Sequence, residues 1–237
     1  MIQAIVFDMD DTLYQEKDYL LSGLKYVDIW VKENCHRTGF YEEAYQLFVS
    51  GENKFIFNRA LELLEVNYDQ NMIMEMLNVY RSHKPDIQLL EDAEWVLNNL
   101  YDNVKIGLIS DGYLSSQKRK VNALKLPSRF NSIILSDEFG RENWKPSHIP
   151  YEKVASELKC YPNECVYVGD NLQKDFITAK KLGWLTVHIQ RNSGIYPNTK
   201  LSSDYEAHFQ IENLKELSNI PELQQLFTKN KRQRRIT

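Results

Sequence analysis

With 237 residues, 43% of them hydrophobic and 26% charged, the chain has the composition of a soluble globular protein. It is long enough for one large domain, or for a main domain with a smaller insert. Net charge is −4, but five basic residues lie between Lys229 and Thr237, which leaves 24 basic against 33 acidic side chains elsewhere. An acidic body of this kind excludes a nucleic-acid binder, whose surface needs a positive field, and no apolar run approaches the ~20 residues of a membrane span. Cys35, Cys160 and Cys165 show neither a metal-ligand spacing nor an even-numbered framework. They read as free thiols in a reducing compartment, and the start of the chain carries no secretory pattern, so a cytoplasmic protein is expected.

The first predicted element is a strand over Ala4 to Phe7, which stops at Asp8, Asp10 and Asp11. Side chains on a strand alternate faces, so Asp8 and Asp10 leave its end pointing the same way. Two carboxylates that close cost energy unless a cation sits between them or one carries a proton. At the carboxyl end of a buried parallel strand, where α/β folds bind ligands, the pairing suggests a Mg²⁺-dependent phosphoryl site. From Glu16 to Lys84 the pattern is helical, with periodic stretches at Tyr19 to Asn34, Glu42 to Val49, Phe57 to Leu64 and Asn71 to Tyr80. The Lys84-Pro85 pair closes this run. It is too long for a connection and reads as a four-helix module over the strand ends.

Beyond it, predicted strands alternate with predicted helices. The helices are Leu90 to Leu100, Ser115 to Leu124, Ile149 to Leu158 and Leu172 to Leu182. The strands are Val104 to Ile109, ending at Ser110-Asp111-Gly112; Asn131 to Leu135; Glu164 to Val168, ending at Gly169-Asp170-Asn171; and Leu185 to Ile189. A turn-rich segment near Asn192 to Asn198, a short Phe209-Gln210-Ile211 run and a helix from Leu214 to Leu226 follow. This alternation predicts an α/β protein with a Rossmann-like, doubly wound parallel sheet. Residues 1–15 and 86–228 form its core, residues 16–85 the helical insert, and residues 229–237 a frayed, solvated basic tail.

Asp8, Asp10 and Thr12, then Ser110, then Lys145-Pro146, then Asp170 and Asp175 stand in an order that resembles the four motifs of the haloacid dehalogenase (HAD) superfamily. In that superfamily an apolar strand leads into Asp-x-Asp-x-Thr, a second strand ends in Ser or Thr, a lysine precedes proline, and a Gly-Asp-x-x-x-x-Asp follows. The resemblance covers roughly residues 1–215, and the helical insert sits where the superfamily places its C1 cap. The branch it looks most like holds phosphoglycolate-phosphatase-like and N-acylneuraminate-9-phosphatase-like enzymes.

The resemblance implies a phosphatase acting on a small-molecule phosphate monoester, such as a sugar phosphate, through an aspartyl-phosphate. By the same resemblance Asp8 is the nucleophile, and Asp10 the acid that protonates the leaving alcohol and the base that activates water. Mg²⁺ would take Asp8, the main-chain carbonyl of Asp10, and Asp170. Ser110 with the amides of Asp111 and Gly112 would hold phosphoryl oxygens, Lys145 would offset negative charge, Asp175 would support Lys145 or the metal shell, and Thr12 would fix the loop. Asp11 is expected to be a solvated turn carboxylate. Specificity would come from the cap, with Lys54, Asn58 and Arg59 as candidates and Tyr14 or Tyr19 at the entrance. The partner is a phosphorylated metabolite and the chain a monomer or homodimer.

A phosphomutase shares all four motifs and stays open. A haloacid dehalogenase has no use for Asp10, and a receiver-type signalling domain leaves Asp170 and the helical insert unexplained.

Overall fold

The computed structural model describes residues 1–191 and 202–228. The turn-rich segment expected near Asn192 to Asn198 and the basic tail lie outside them. The chain divides into two compact units, one made of residues 1–16 and 88 onward, the other of Lys17–Ile87.

The first unit is built on β1 (Ala4–Phe7), β2 (Lys105–Ser110), β3 (Ser132–Leu135), β4 (Cys165–Gly169), β5 (Leu185–Ile189) and β6 (Phe209–Ile211). They form one sheet in the order β3-β2-β1-β4-β5-β6, with every neighbouring pair parallel. From β1 the chain winds outward through β2 and β3 on one side, then returns to β4, β5 and β6 on the other. The expected doubly wound α/β sheet is therefore present. β1 and β4 are buried along their whole length, which explains their near-continuous runs of apolar and β-branched residues. Phe7 is in register with both Leu108 and Val168, so the carboxyl ends of β1, β2 and β4 lie level. The chain reverses its winding direction between β1 and β4, the place where such sheets hold ligands.

The helical unit comprises α1 (Glu16–Cys35, whose first residue belongs to the sheet unit), α2 (Phe40–Val49), α3 (Ile56–Leu63) and α4 (Gln70–Ser82). Its own core gathers Leu24, Val27, Val31, Phe40, Phe57, Leu61 and Met76. Asp69 caps α4 by accepting from the Met72 amide at 2.8 Å.

In the sheet unit, α5 (Glu91–Asn99), α6 (Leu114–Ala123), α7 (Ile149–Leu158) and α8 (Ile177–Lys181) connect the strands. The main core centres on Tyr151, whose ring meets Trp184 edge-on at 5.8 Å and Tyr167 at 5.2 Å. Cys160 and Cys165 are buried in this cluster.

Two predicted helices are shorter than expected. Residues 171–175 are a turn, in which the Asn171 side chain accepts from the Gln173 amide (3.0 Å) and the Asn171 amide donates to Asp175 (2.9 Å). Such side-chain bonds compete with helix and leave only Ile177–Lys181 as α8. The helix expected over Leu214 to Leu226 is two 3₁₀ segments, Leu214–Asn219 and Gln224–Leu226. Pro221 parts them, since the residue before proline avoids the helical well. This segment returns to α5, with the Thr228 amide donating to the Asn99 carbonyl at 2.8 Å and Phe227 stacked on Trp95.

No helix among the described residues is long and apolar enough to cross a membrane.

Candidate active site

Asp8 follows directly from the central strand, its amide donating to the Val168 carbonyl of β4 at 2.8 Å. Its carboxylate meets Lys145, whose Nζ donates to Asp8 Oδ1 at 2.5 Å, Asp175 Oδ1 at 2.8 Å and the Tyr167 hydroxyl at 2.8 Å. All four side chains are buried. Burial works to lower this lysine, but Asp175 and Asp8 outweigh it and hold the ammonium well above the ordinary lysine range. Asp175 is fixed in turn by the Asn171 amide on its second oxygen. Gly169 makes room for it, because a Cβ there would come within 2.4 Å of Asp175 Oδ2.

Asp10 occupies a different setting. Lys120 Nζ donates to its Oδ1 at 2.7 Å, the Tyr14 hydroxyl donates to the same oxygen, and Gln117 Nε2 lies 3.0 Å from Oδ2. Burial works to raise this carboxyl, but Lys120, Tyr14 and Gln117 outweigh it and hold the group below the usual carboxylate range. Ser110, at the end of β2, is buried and accepts from Gln117 at 2.6 Å. The next residues turn toward the same place. The Asp111 carbonyl accepts from Gln117 (2.7 Å), its carboxylate accepts from the Lys145 amide (3.1 Å) and from Lys174 (3.4 Å), and Gly112 turns at a φ of 131°.

The structure thus brings Asp8, Asp10, Thr12, Ser110, Asp111, Gly112, Lys145, Asp170 and Asp175 to neighbouring strand ends. Lys54, Asn58 and Arg59 belong to the helical unit: Lys54 is exposed, Arg59 pairs with Glu52, and Asn58 lines a cavity of about 680 Å³ with Phe55, Phe57, Tyr68 and Met74.

Three expectations need correction. Asp11 is not solvated: it is 2% exposed, its backbone sits at a φ of 49°, and its carboxylate accepts from the Glu16 amide at 2.8 Å. Tyr14 lines no entrance, being fully buried on Asp10, and Tyr19 is buried against Tyr80 and His83. Thr12 leaves its buried hydroxyl without a hydrogen-bond partner, and its main chain is what is held.

Sequence reasoning missed the group that holds it. Arg191, just past β5, donates to the Thr12 carbonyl (2.6 Å) and the Asp11 carbonyl (3.1 Å) while forking onto Asp92 at 3.0 and 3.1 Å. Asp92 also accepts from the Leu214 amide at 2.9 Å.

Asp170 makes no ion pair among the described residues, and burial, then Asp8 and Asp175, push its carboxyl well above the usual range. Asp8 is likewise pushed up to about 7, chiefly by burial. The buried carboxylate of Asp8 and the half-buried one of Asp170, whose ionisation Asp8 opposes, are oxygen donors of the kind a hard divalent cation takes. Among the described residues no cluster of three or more His, Cys, Asp or Glu side chains could hold a metal, so such a site would rest on two carboxylates and a carbonyl. His188 Nε2 lies 3.0 Å from the Asp170 carbonyl, which can only accept, so that nitrogen carries the proton.

Glu16 carries a testable share of this charge. Burial, then the charge of Asp10, raises its carboxyl to about 7 from an ordinary 4.5. The folded chain therefore keeps a proton that the unfolded chain releases, and stability present at low pH is lost as pH rises through 4.5 to about 7. With allowance for its partial exposure, Glu16→Gln should gain about 1–2 kcal/mol over the parent at pH 8 relative to pH 5. Urea unfolding in EDTA at the two pH values measures it, and an equal difference at both would refute the assignment.

Residues 5–189 match the model of the haloacid dehalogenase-like hydrolase family. The chain belongs to that family. Its relatives include glyceraldehyde 3-phosphate phosphatase of Methanocaldococcus jannaschii, 28% identical over 93% of this chain and 97% of that one. Human N-acylneuraminate-9-phosphatase is 25% identical over 91% and 92% of the two chains. Among solved structures, the HAD hydrolase YfnB of Bacillus subtilis, determined bound to magnesium, matches with a TM-score of 0.66 at 17% identity, covering 92% of this chain and 98% of that one. A 2-haloacid dehalogenase from Pseudomonas syringae matches at 0.63 and 20%, covering 92% and 97%. At such identities these two matches speak for the fold alone.

Proposed function

We propose that this HAD-family hydrolase is a Mg²⁺-dependent phosphatase that cleaves a small-molecule phosphate monoester, such as a sugar phosphate, through an aspartyl-phosphate on Asp8. The observation that carries this reading is the separation of two neighbouring carboxylates. Asp8 sits on Lys145 at the end of the central strand, while Asp10 is held by Lys120, Gln117 and Tyr14. A dehalogenase would need only the first. The relatives named above, phosphatases of glyceraldehyde 3-phosphate and of N-acylneuraminate 9-phosphate, support the substrate class.

In this reading an Asp8 oxygen attacks phosphorus, the bond to the substrate's alcohol oxygen breaks, and Asp10, which must first take up a proton against the hold of Lys120, Tyr14 and Gln117, gives it to that oxygen. Water then attacks the aspartyl-phosphate and Asp10 takes a proton back, releasing phosphate and free Asp8. Lys145 offsets the charge gathered on Asp8 and the phosphoryl group, and Ser110 with the amides of Asp111 and Gly112 holds phosphoryl oxygens. Mg²⁺ would be held by Asp8, the Asp10 carbonyl and Asp170, and when bound it supplies charge neutralisation at the phosphoryl oxygens. Asp175 keeps Lys145 in place. Lys54, Asn58 and Arg59 are the residues proposed to select the substrate, and a reducing cytosolic setting goes with the three free thiols.

A panel of sugar, triose and sialic acid phosphates, assayed for released phosphate with Mg²⁺ and again with EDTA, tests the reading. Turnover of at least one ester, lost in EDTA and regained with Mg²⁺, is expected. Turnover indifferent to EDTA would overturn the metal assignment, and transfer of phosphate between two positions of a sugar without release would replace hydrolysis by a mutase.

A further inference from the structure

Gln117 and Lys120 stand three residues apart on α6 and share a face of that helix. They are 1% and 5% exposed, and side chains of these kinds are rarely so buried unless they are paired. Both turn toward Asp10. Lys120 meets Oδ1, where the Tyr14 hydroxyl also donates, and Gln117 meets Oδ2, so both carboxylate oxygens are taken. The Gln117 amide nitrogen has two hydrogens and lies within 3.0 Å of three acceptors: Ser110 Oγ, the Asp111 carbonyl and Asp10 Oδ2. One side chain therefore bridges the loop after β1 to the loop after β2. The helix also packs closely there, since a Cβ on Gly112 would come within 3.0 Å of the Gln117 side chain.

A carboxylate that must protonate one oxygen and deprotonate another has to keep its orientation through both steps. We propose that Gln117 and Lys120 are positioning residues that fix the Asp10 carboxylate for these proton transfers, with Gln117 tying its orientation to the Ser110 phosphate-holding loop. The inference rests on the phosphatase reading above. Its consequence depends on the leaving group. An alkoxide is a strong base and departs only with help from a proton, whereas 4-nitrophenolate departs unaided. A disordered Asp10 thus harms cleavage of an alkyl phosphate far more than cleavage of 4-nitrophenyl phosphate.

The test compares kcat/KM for an alkyl phosphate and for 4-nitrophenyl phosphate, with Mg²⁺, in the parent, Lys120→Met, Gln117→Leu and Asp8→Asn proteins. Circular dichroism confirms folding, and Gln117→Leu serves where Lys120→Met does not fold. General acid catalysis is worth about 10²–10⁴-fold when removed outright, so its misorientation is expected to cost the alkyl ester about 10–100-fold. The loss on the aryl ester should be at least about tenfold smaller, a contrast that a general loss of packing would not produce. Equal losses on the two esters, or none on either, would overturn the positioning role while the phosphatase reading stands, provided Asp8→Asn is inactive on both. Activity surviving in Asp8→Asn would remove the reading itself and this inference with it.

Discussion

Asp8→Asn is expected to lower phosphate release from every substrate the parent turns over by about 10⁴-fold or more, the scale seen when a covalent nucleophile is removed. The amide cannot form the acyl-phosphate, and neither Asp10 nor Asp175 can replace it: Asp10 is held by Lys120 and Gln117, and Asp175 is enclosed by Lys145 and the Asn171 amide. The substitution is nearly isosteric, leaves Lys145 its ion pair with Asp175, and removes a carboxylate that burial already pushes up to about 7. The protein should therefore stay folded, with thermal stability equal to or above that of the parent. Phosphate release and thermal melting, measured on one preparation, check both halves. Turnover within tenfold of the parent would place the nucleophile elsewhere.

Lys145→Met should fail differently, by losing stability together with activity. The ammonium is fully enclosed, with Asp8 and Asp175 as its ion-pair partners, so its removal leaves two buried carboxylates facing each other. Breaking a buried pair from one side costs about 3–5 kcal/mol. Part of that cost is repulsion, and Asp175→Asn relieves it because an asparagine oxygen still accepts from the Asn171 amide. The double variant Lys145→Met with Asp175→Asn should recover about 1 kcal/mol or more over the single variant in urea unfolding. Its turnover should remain about 10²-fold or more below the parent, since the charge at the phosphoryl site is still missing. A double variant no more stable than Lys145→Met would mean that packing, not charge, makes this lysine necessary.

What was legible in the sequence follows from which demands are local. A buried parallel strand needs an unbroken apolar run, so β1 and β5 lie where their residues say they lie. Acid-rich strand ends are conspicuous because few roles explain Asp8 and Asp10 side by side, and these residues do come together. Lys145, the partner of Asp8, was legible, but the partner of Asp10 and the grip on the loop behind it were hidden, because nothing near Lys120 or Arg191 in sequence announces a carboxylate or carbonyl far along the chain. One local sign existed: Gln117 and Lys120 share the buried stripe of α6 with Val121, and polar residues at core positions of a helix imply polar partners. Asp11 misled for a related reason. Its spacing is that of a turn, and turns are usually wet, but the amide of Glu16 and the backbone turn at φ 49° draw it inward. The C-terminal helix fails at Pro221, because apolar periodicity does not reveal that the residue before a proline avoids the helical well.

The fork of Arg191 bears on how the site comes into being. The loop carrying Asp11 and Thr12 is made long before Arg191, yet its carbonyls are gripped by that side chain, 180 and 179 residues later. Asp92, the other half of that grip, is anchored later still, by the Leu214 amide. Long-range closures of this kind come late and slowly in folding. A nascent chain ending just short of Arg191 would already contain every acid and lysine of the pocket, with the loop beside its nucleophile still unfastened. Activity should then arise only after Arg191 and Leu214 have been made and β5 has joined the sheet, so that phosphate release from a chain truncated before Arg191 should be absent where the parent's is measurable.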